Sequence, residues 1–168
     1  QRYLTAQLKR PEGNVWVGIY IPEGPRMKIW VVEEQPMATD MVGISADQLK
    51  DSLVNDGHMA VYEILFDTGK AEIKPASAAA IKEIAAFLSN NPSEQIYVVG
   101  HTDNVGQLKA NMELSSRRAA AVVTLLTTVN NIDAGRLESA GVGPLAPIAS
   151  NATSKGRELN RRVEIVKK

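Results

Sequence analysis

The chain has 168 residues, 19 Lys and Arg against 19 Asp and Glu, a formal net charge of zero and no cysteine. That length accommodates one domain of ordinary size plus a small appendage. The balanced charge lacks the basic footprint of phosphate-backbone binding, which argues against nucleic acid as a partner, and the missing thiols exclude thiol catalysis, thiolate metal sites and disulfides together. No run approaches the ~18 apolar residues of a membrane span, and Gln1 opens no charged-then-apolar signal region, so the chain reads as soluble or as one whose export and anchoring segments have been removed.

Between Asn14 and Ile21, Val15, Val17, Ile19 and Ile21 alternate with Trp16, Gly18 and Tyr20, the period of a strand. Pro22-Glu23-Gly24-Pro25 is turn chemistry, and Met27 to Glu33 is a second β-branched and aromatic run, so the first third predicts a hairpin whose edges need partners. Trp16, Tyr20 and Trp30 fit either the hairpin's own core or a surface for a protein partner. Ser45 ahead of Ala46, Asp47 and Gln48 has the form of a capping box. It opens a short helix whose stripe is Leu49, Leu53 and Val54 and which ends near Gly57.

From Ala60 the pattern predicts a strand (Ala60 to Phe66), a helix (Ala76 to Asn90), a strand (Gln95 to Gly100), a helix (Asn111 to Asn130), a strand (Arg136 to Ala140), a long loop (Gly141 to Thr153) and a strand (Arg161 to Val166). Pro75 suits a first helical turn, and Asn90, Asn91 and Pro92 stop the helix that follows.

On the second of these helices Leu114, Ala121, Val122, Leu125 and Val129 define an inward face. Arg118 lies four residues after Leu114 and four before Val122, so its stem runs along that face. Arg117 falls one position round, four after Glu113, where an exposed ion pair accounts for it. A guanidinium at the margin of a core keeps its charge and requires a partner, either an internal carboxylate or that of a ligand.

Gly100-His101-Thr102-Asp103-Asn104-Val105-Gly106 leaves the end of a predicted strand toward the Arg118 helix, a favoured place for ligand sites. By residue type, His101 and Asp103 are an acid–base pair, two metal ligands or turn formers. Catalysis lacks a third member, two ligands are too few for zinc, and the P-loop spacing is absent. Near the C-terminus three arginines crowd the last strand; alternation puts Arg161 with Val163 and Ile165 and Arg162 with Glu164 and Val166, so a given pocket meets one of the two.

Five segments stand in order: Phe66-Asp67-Thr68-Gly69 ahead of Pro75; Val98 to Gly106; Asn111 to Ala119 (NMELSSRRA); Gly141-Val142-Gly143 with Pro147; and Asn151 with Gly156 to Glu164 (GRELNRRVE). Together they resemble the OmpA-like C-terminal domain family from about residue 60 to the end. The resemblance implies an α+β fold of βαβαββ order, with a mixed four-stranded sheet and helices on one side, over residues 60–168. Residues 1–59 then form a hairpin and short helix of unassigned role, with a possible protein partner.

The resemblance also implies a non-catalytic module that takes no cofactor or metal. It binds peptidoglycan through the meso-diaminopimelate of the stem peptide, at the periplasmic face of an outer membrane it reaches through an anchor outside this chain. The same module also serves as a wall anchor of motor stators and secretion complexes. Position by position, Asp103 matches the acceptor of the ligand's ammonium group and Arg118 the clamp of its carboxylate, while Asp67, Asn111 and Arg161 match pocket-lining positions.

Overall fold

The computed structural model describes residues 2–8, 15–22, 27–33 and 43–168. They fall into two compact units, Gln1–Val42 and Gly43–Lys168. The first carries three antiparallel strands, β1 (Arg2–Leu8), β2 (Val15–Ile21) and β3 (Lys28–Glu33), in the order β1-β2-β3. The expected hairpin is β2 with β3, and β1 covers the other edge of β2 in a register that pairs Tyr3 with Tyr20. On one face Tyr3 stacks against Tyr20 and Trp30, with ring centroids 6.2 and 6.1 Å apart. The expected turn over Glu23-Gly24-Pro25 lies outside the described residues.

The second unit opens with α1 (Ala46–Asn55), held by the capping box of the sequence reading: Gln48 N–H donates to Ser45 Oγ at 3.2 Å and Ser45 N–H donates to Gln48 Oε1 at 3.0 Å. Leu49 and Leu53 are buried in the same core as Ile84, Leu88, Ile96 and Leu126. The division expected after residue 59 therefore falls inside a compact unit, because α1 supplies that unit's core.

Four strands form the main sheet: β4 (His58–Val61), β5 (Ile96–His101), β6 (Leu137–Gly143) and β7 (Val163–Lys167), in the order β4-β7-β5-β6. Only β5 and β6 run parallel; β7 is antiparallel to both β4 and β5, so the sheet is mixed as expected. Helices α2 (Ala78–Asn90), entered through a 3₁₀ turn at Pro75–Ser77, and α3 (Leu108–Thr128) bury their apolar sides with Val61, Val98, Val163 and Ile165.

Two expected elements differ. The first strand of the domain ends at Val61 rather than Phe66, because its partner β7 begins opposite it at Val163 and offers nothing beyond. Residues 62–66 leave the sheet, and Phe66 bridges to Ile73 across a loop with Gly69 at φ +71°. The last strand begins at Val163 rather than Arg161, and the residues left without an element between the expected loop and that strand form α4 (Ser154–Asn160), capped by Thr153, whose side chain accepts from Gly156 N–H.

The inward face of α3 also differs. Its buried residues are Asn111, Ser115, Arg118, Ala119, Val122 and Leu126, whereas Val129 is exposed. The reason is proximity: a Cβ on Gly100 would lie 2.1 Å from Ser115 O, and one on Gly141 would lie 2.2 Å from Ser116 N. Helix and strands touch main chain to main chain there, which leaves room for serine but not for leucine. Ser115 Oγ accepts from Gly143 N–H at 2.9 Å and donates to Met112 O, fastening the helix to the end of β6.

At the end of β5 the His101 ring is buried, with Nε2 3.4 Å from Glu164 Oε2 but without a hydrogen bond on either nitrogen. Arg162, also buried, takes Glu164 Oε1 at 2.7 Å and donates to Ala146 O at 3.1 Å. Burial, and then the Arg162 cation, push the His101 pKa below its ordinary value of 6.5, against a smaller pull upward from Glu164.

Two outcomes follow from this packing. Gly141→Ala should cost about 3 kcal/mol in urea unfolding through steric overlap, while Gly106→Ala, at φ +95° with nothing within 4 Å, should cost about 1 kcal/mol. Equal costs would refute the close contact. Because native His101 binds fewer protons than the unfolded chain, stability rises with pH and is lost as pH falls through the unfolded value. Melting temperature should drop between about pH 7.5 and about pH 5.5, and His101→Gln should flatten that part of the profile; an unchanged slope would assign it to other groups.

Candidate functional site

The loop between β5 and α3 is fixed from several sides. Asp103 Oδ1 accepts from Val105 N–H at 3.0 Å, an Asx turn that the adjoining Gly106 completes at φ +95°. Asn111, in the first turns of α3, donates its amide to Val105 O at 3.0 Å and to Asp103 O at 3.4 Å. Thr102 N–H donates to Gly143 O at the end of β6, and Asn104 N–H donates to Asn151 Oδ1. Asn151 is itself held by buried Asn160, which donates to Asn151 Oδ1 at 2.9 Å and accepts from Ile148 and Ala149 N–H. The position of Asp103 thus rests on α3, β6 and α4.

Arg118 stands two turns along α3 from Asn111, 7% exposed. Its Nε donates to Lys70 O at 3.0 Å, its Nη2 donates to Asp67 O at 3.2 Å, and its Cζ lies 4.7 Å from the centroid of the Phe66 ring. Neither partner of the guanidinium is a carboxylate, so the internal salt bridge open to the sequence reading is not formed. Backbone carbonyls and an aromatic face orient the group without neutralising it. Of its five N–H groups, both on Nη1 and one on Nη2 are left by those two bonds. Burial, followed by the nearby Arg161 cation, lowers its pKa below that of a free arginine, and Asp103 opposes the shift. Arg117 is exposed, as is Glu113, and the two do not form the expected ion pair.

Asp103 and Arg118 both line an open cleft of about 960 Å³, together with Asn111, Arg161, Thr102 and Phe66. Arg161 Nη1 lies 2.7 Å from Asp103 Oδ2, with the arginine side chain 47% and the aspartate side chain 13% exposed. Asp67, expected in the pocket wall, does not line the cleft and contributes only the carbonyl that Arg118 holds: its carboxylate turns to Lys74 at 2.9 Å and Lys70 at 3.8 Å, and Lys74 holds its pKa below 3.8. His101 faces Glu164 and does not line the cleft, so it makes no acid–base pair with Asp103. Arg161 and Arg162 separate, one at the cleft and one buried against Glu164, but both precede β7, Arg161 as the C-cap of α4, so strand alternation is not the cause.

Sequence reasoning missed Lys155, Arg157 and Glu158, which α4 brings to the rim. The signal was present, since Thr153 three residues before Gly156 has the spacing of an N-cap.

The OmpA family model matches residues 65–161. Outer membrane porin F of Pseudomonas aeruginosa is 43% identical over 102 residues, 61% of this chain and 29% of that protein. The chain spans less than half the length of the first curated relatives it matches. Among solved structures, the cell wall anchor of the T6SS from Pseudomonas aeruginosa aligns with a TM-score of 0.58 and 29% identity over 74% of this chain and 96% of that one. The peptidoglycan-associated lipoprotein from Burkholderia pseudomallei aligns with a TM-score of 0.58 and 25% identity over 62% and 88%. With the family model covering more than half of its residues, this chain belongs to the OmpA family.

Proposed function

We propose that the domain binds peptidoglycan non-covalently and without catalysis, through the zwitterionic end of the meso-diaminopimelate in the stem peptide. The observation that carries this is the presence, in the wall of one cleft, of an anchored carboxylate and an oriented guanidinium whose charge no protein carboxylate neutralises. An amino-acid terminus presents an ammonium and a carboxylate a few bonds apart, and Asp103 and Arg118 are complementary to the two. Asn111 positions Asp103 through the loop carbonyls, Asp67 positions Arg118 through its own carbonyl, and Arg161 completes the wall.

Two relatives support the cell wall as partner by their names: a cell wall anchor and a peptidoglycan-associated lipoprotein. The reading places the domain at the periplasmic face of the outer membrane, tethering an envelope protein to the wall through an anchor outside these residues. Among the described residues no helix is long and apolar enough to cross a membrane. A wall-anchoring module of a secretion complex is the second reading, favoured by the alignment over 96% of the T6SS anchor. Each charge-assisted hydrogen bond contributes roughly 1.5 to 3 kcal/mol, less the cost of immobilising the peptide, so one stem binds with modest affinity and many stems on one wall add avidity.

The chain should co-sediment with insoluble peptidoglycan at moderate salt, and free meso-diaminopimelate should compete; staying in the supernatant would end the proposal. Asp103→Ala and Arg118→Ala should each weaken diaminopimelate binding by roughly ten- to hundredfold. Arg118→Lys should fare little better, because a lysine lacks the two-pronged edge. Arg117→Ala, on the exposed side of α3, should bind within about twofold of the parent. Unchanged affinity in folded Asp103→Ala and Arg118→Ala would show the ligand sits elsewhere.

A further inference from the structure

Both oxygens of Asp103 are already engaged: Oδ1 by Val105 N–H inside its own turn, Oδ2 by Arg161. The first bond is main-chain and short-range. The second reaches across from the residue that ends α4, and its guanidinium is nearly half exposed. An ammonium arriving at Oδ2 meets a cation already there, and like charges in contact repel. Asp103 is the better anchored partner, so Arg161 is the group that moves.

The balance of charge in the cleft says what Arg161 moves to. Four cationic side chains, Arg118, Lys155, Arg157 and Arg161, face two carboxylates, Asp103 and Glu158. A zwitterionic terminus occupies Asp103 and Arg118 and carries no net charge. Three cations then face one carboxylate, and Arg157 is partly committed to Asn151 O at 2.7 Å. The cleft is therefore complementary to a ligand with further negative charge.

Building on the function proposed above, we infer that Arg161 is an exchangeable plug: the ligand's ammonium displaces it from Asp103, and the freed guanidinium, in a cleft that Lys155 also lines, takes a second carboxylate of the same stem peptide. The exchange replaces one ion pair with two and sets specificity. A ligand with an ammonium but no second carboxylate exchanges the Asp103–Arg161 pair for its own pair with Asp103 and leaves Arg161 unpaired. A ligand with both pairs Arg161 again.

The test compares two probes by calorimetry on the full chain: the tripeptide L-Ala-γ-D-Glu-meso-diaminopimelate, and its analogue with every carboxylate outside the zwitterionic terminus converted to carboxamide. The parent should prefer the carboxylate form by about tenfold, the effect of one charge-assisted pair. Arg161→Ala should bind the amide form about threefold more tightly than the parent, because Asp103 is now unplugged, and should lose most of the preference. Arg161→Lys should keep part of it. Melting temperatures of both variants verify folding. Equal weakening of both probes by Arg161→Ala, or a preference that survives it, overturns the plug while leaving the diaminopimelate site standing. Failure of the parent to bind either probe removes the proposed function itself.

Discussion

The contact on which the rest of the domain depends is the main-chain approach of α3 to β5 and β6. At Gly100 and Gly141 a β-carbon would fall within about 2 Å of helix backbone, and at Gly143 it would lie 2.9 Å from Met112 Sδ and 3.2 Å from Met112 N. Such closeness sets the rotation of α3, which determines that Asn111, Ser115 and Arg118 point to one side. Asn111 then meets the β5–α3 loop, Ser115 meets the end of β6, and Arg118 emerges beside the loop after Phe66. A helix standing further off would leave the loop carbonyls and the guanidinium without partners.

The distribution of carboxylates around Arg118 is as informative as the arginine itself. A buried cation is costly unless its N–H groups are satisfied, and the protein satisfies two of them with carbonyl dipoles and an aromatic face. Asp67 shows the alternative most clearly. Its carbonyl serves Arg118 while its carboxylate is turned outward to Lys74 and Lys70. Had the carboxylate faced inward, the guanidinium would be neutralised and unavailable to an anion. Arg161 is treated in the opposite way, exposed and paired with Asp103, so it and Arg118 have different freedom although both carry one charge.

Loop and helix are also joined through residues with no charge. Asn160, fully buried, holds residues 148–151, and Asn151 passes that restraint to Asn104. The glycine-, proline- and asparagine-rich stretch after β6 is therefore the back wall of the Asp103 loop, and α4 at its end carries the basic rim. Function and architecture meet in one hydrogen-bonded path from α4 to Asp103.

Much of this was determined by the sequence alone. Hydrophobic period, the Ser45 capping box, Pro75 and the asparagine stops located α1, α2 and α3 but not α4, and the exceptional placement of Arg118 on an apolar stripe marked it against Arg117. These signals are local, carried by residues within one or two turns of each other. Tertiary structure decided what local signals cannot carry. Val61 ends its strand because β7 begins opposite it, not for any preference of Tyr62 to Phe66. Asp67 gives its carbonyl rather than its carboxylate because two lysines, three and seven residues on, claim the carboxylate. α1 joins the larger unit because Leu49 and Leu53 have their partners there. Arg161 reaches Asp103 across 58 residues of chain, and such a pairing exists only once α3, β6 and α4 have set both backbones in place.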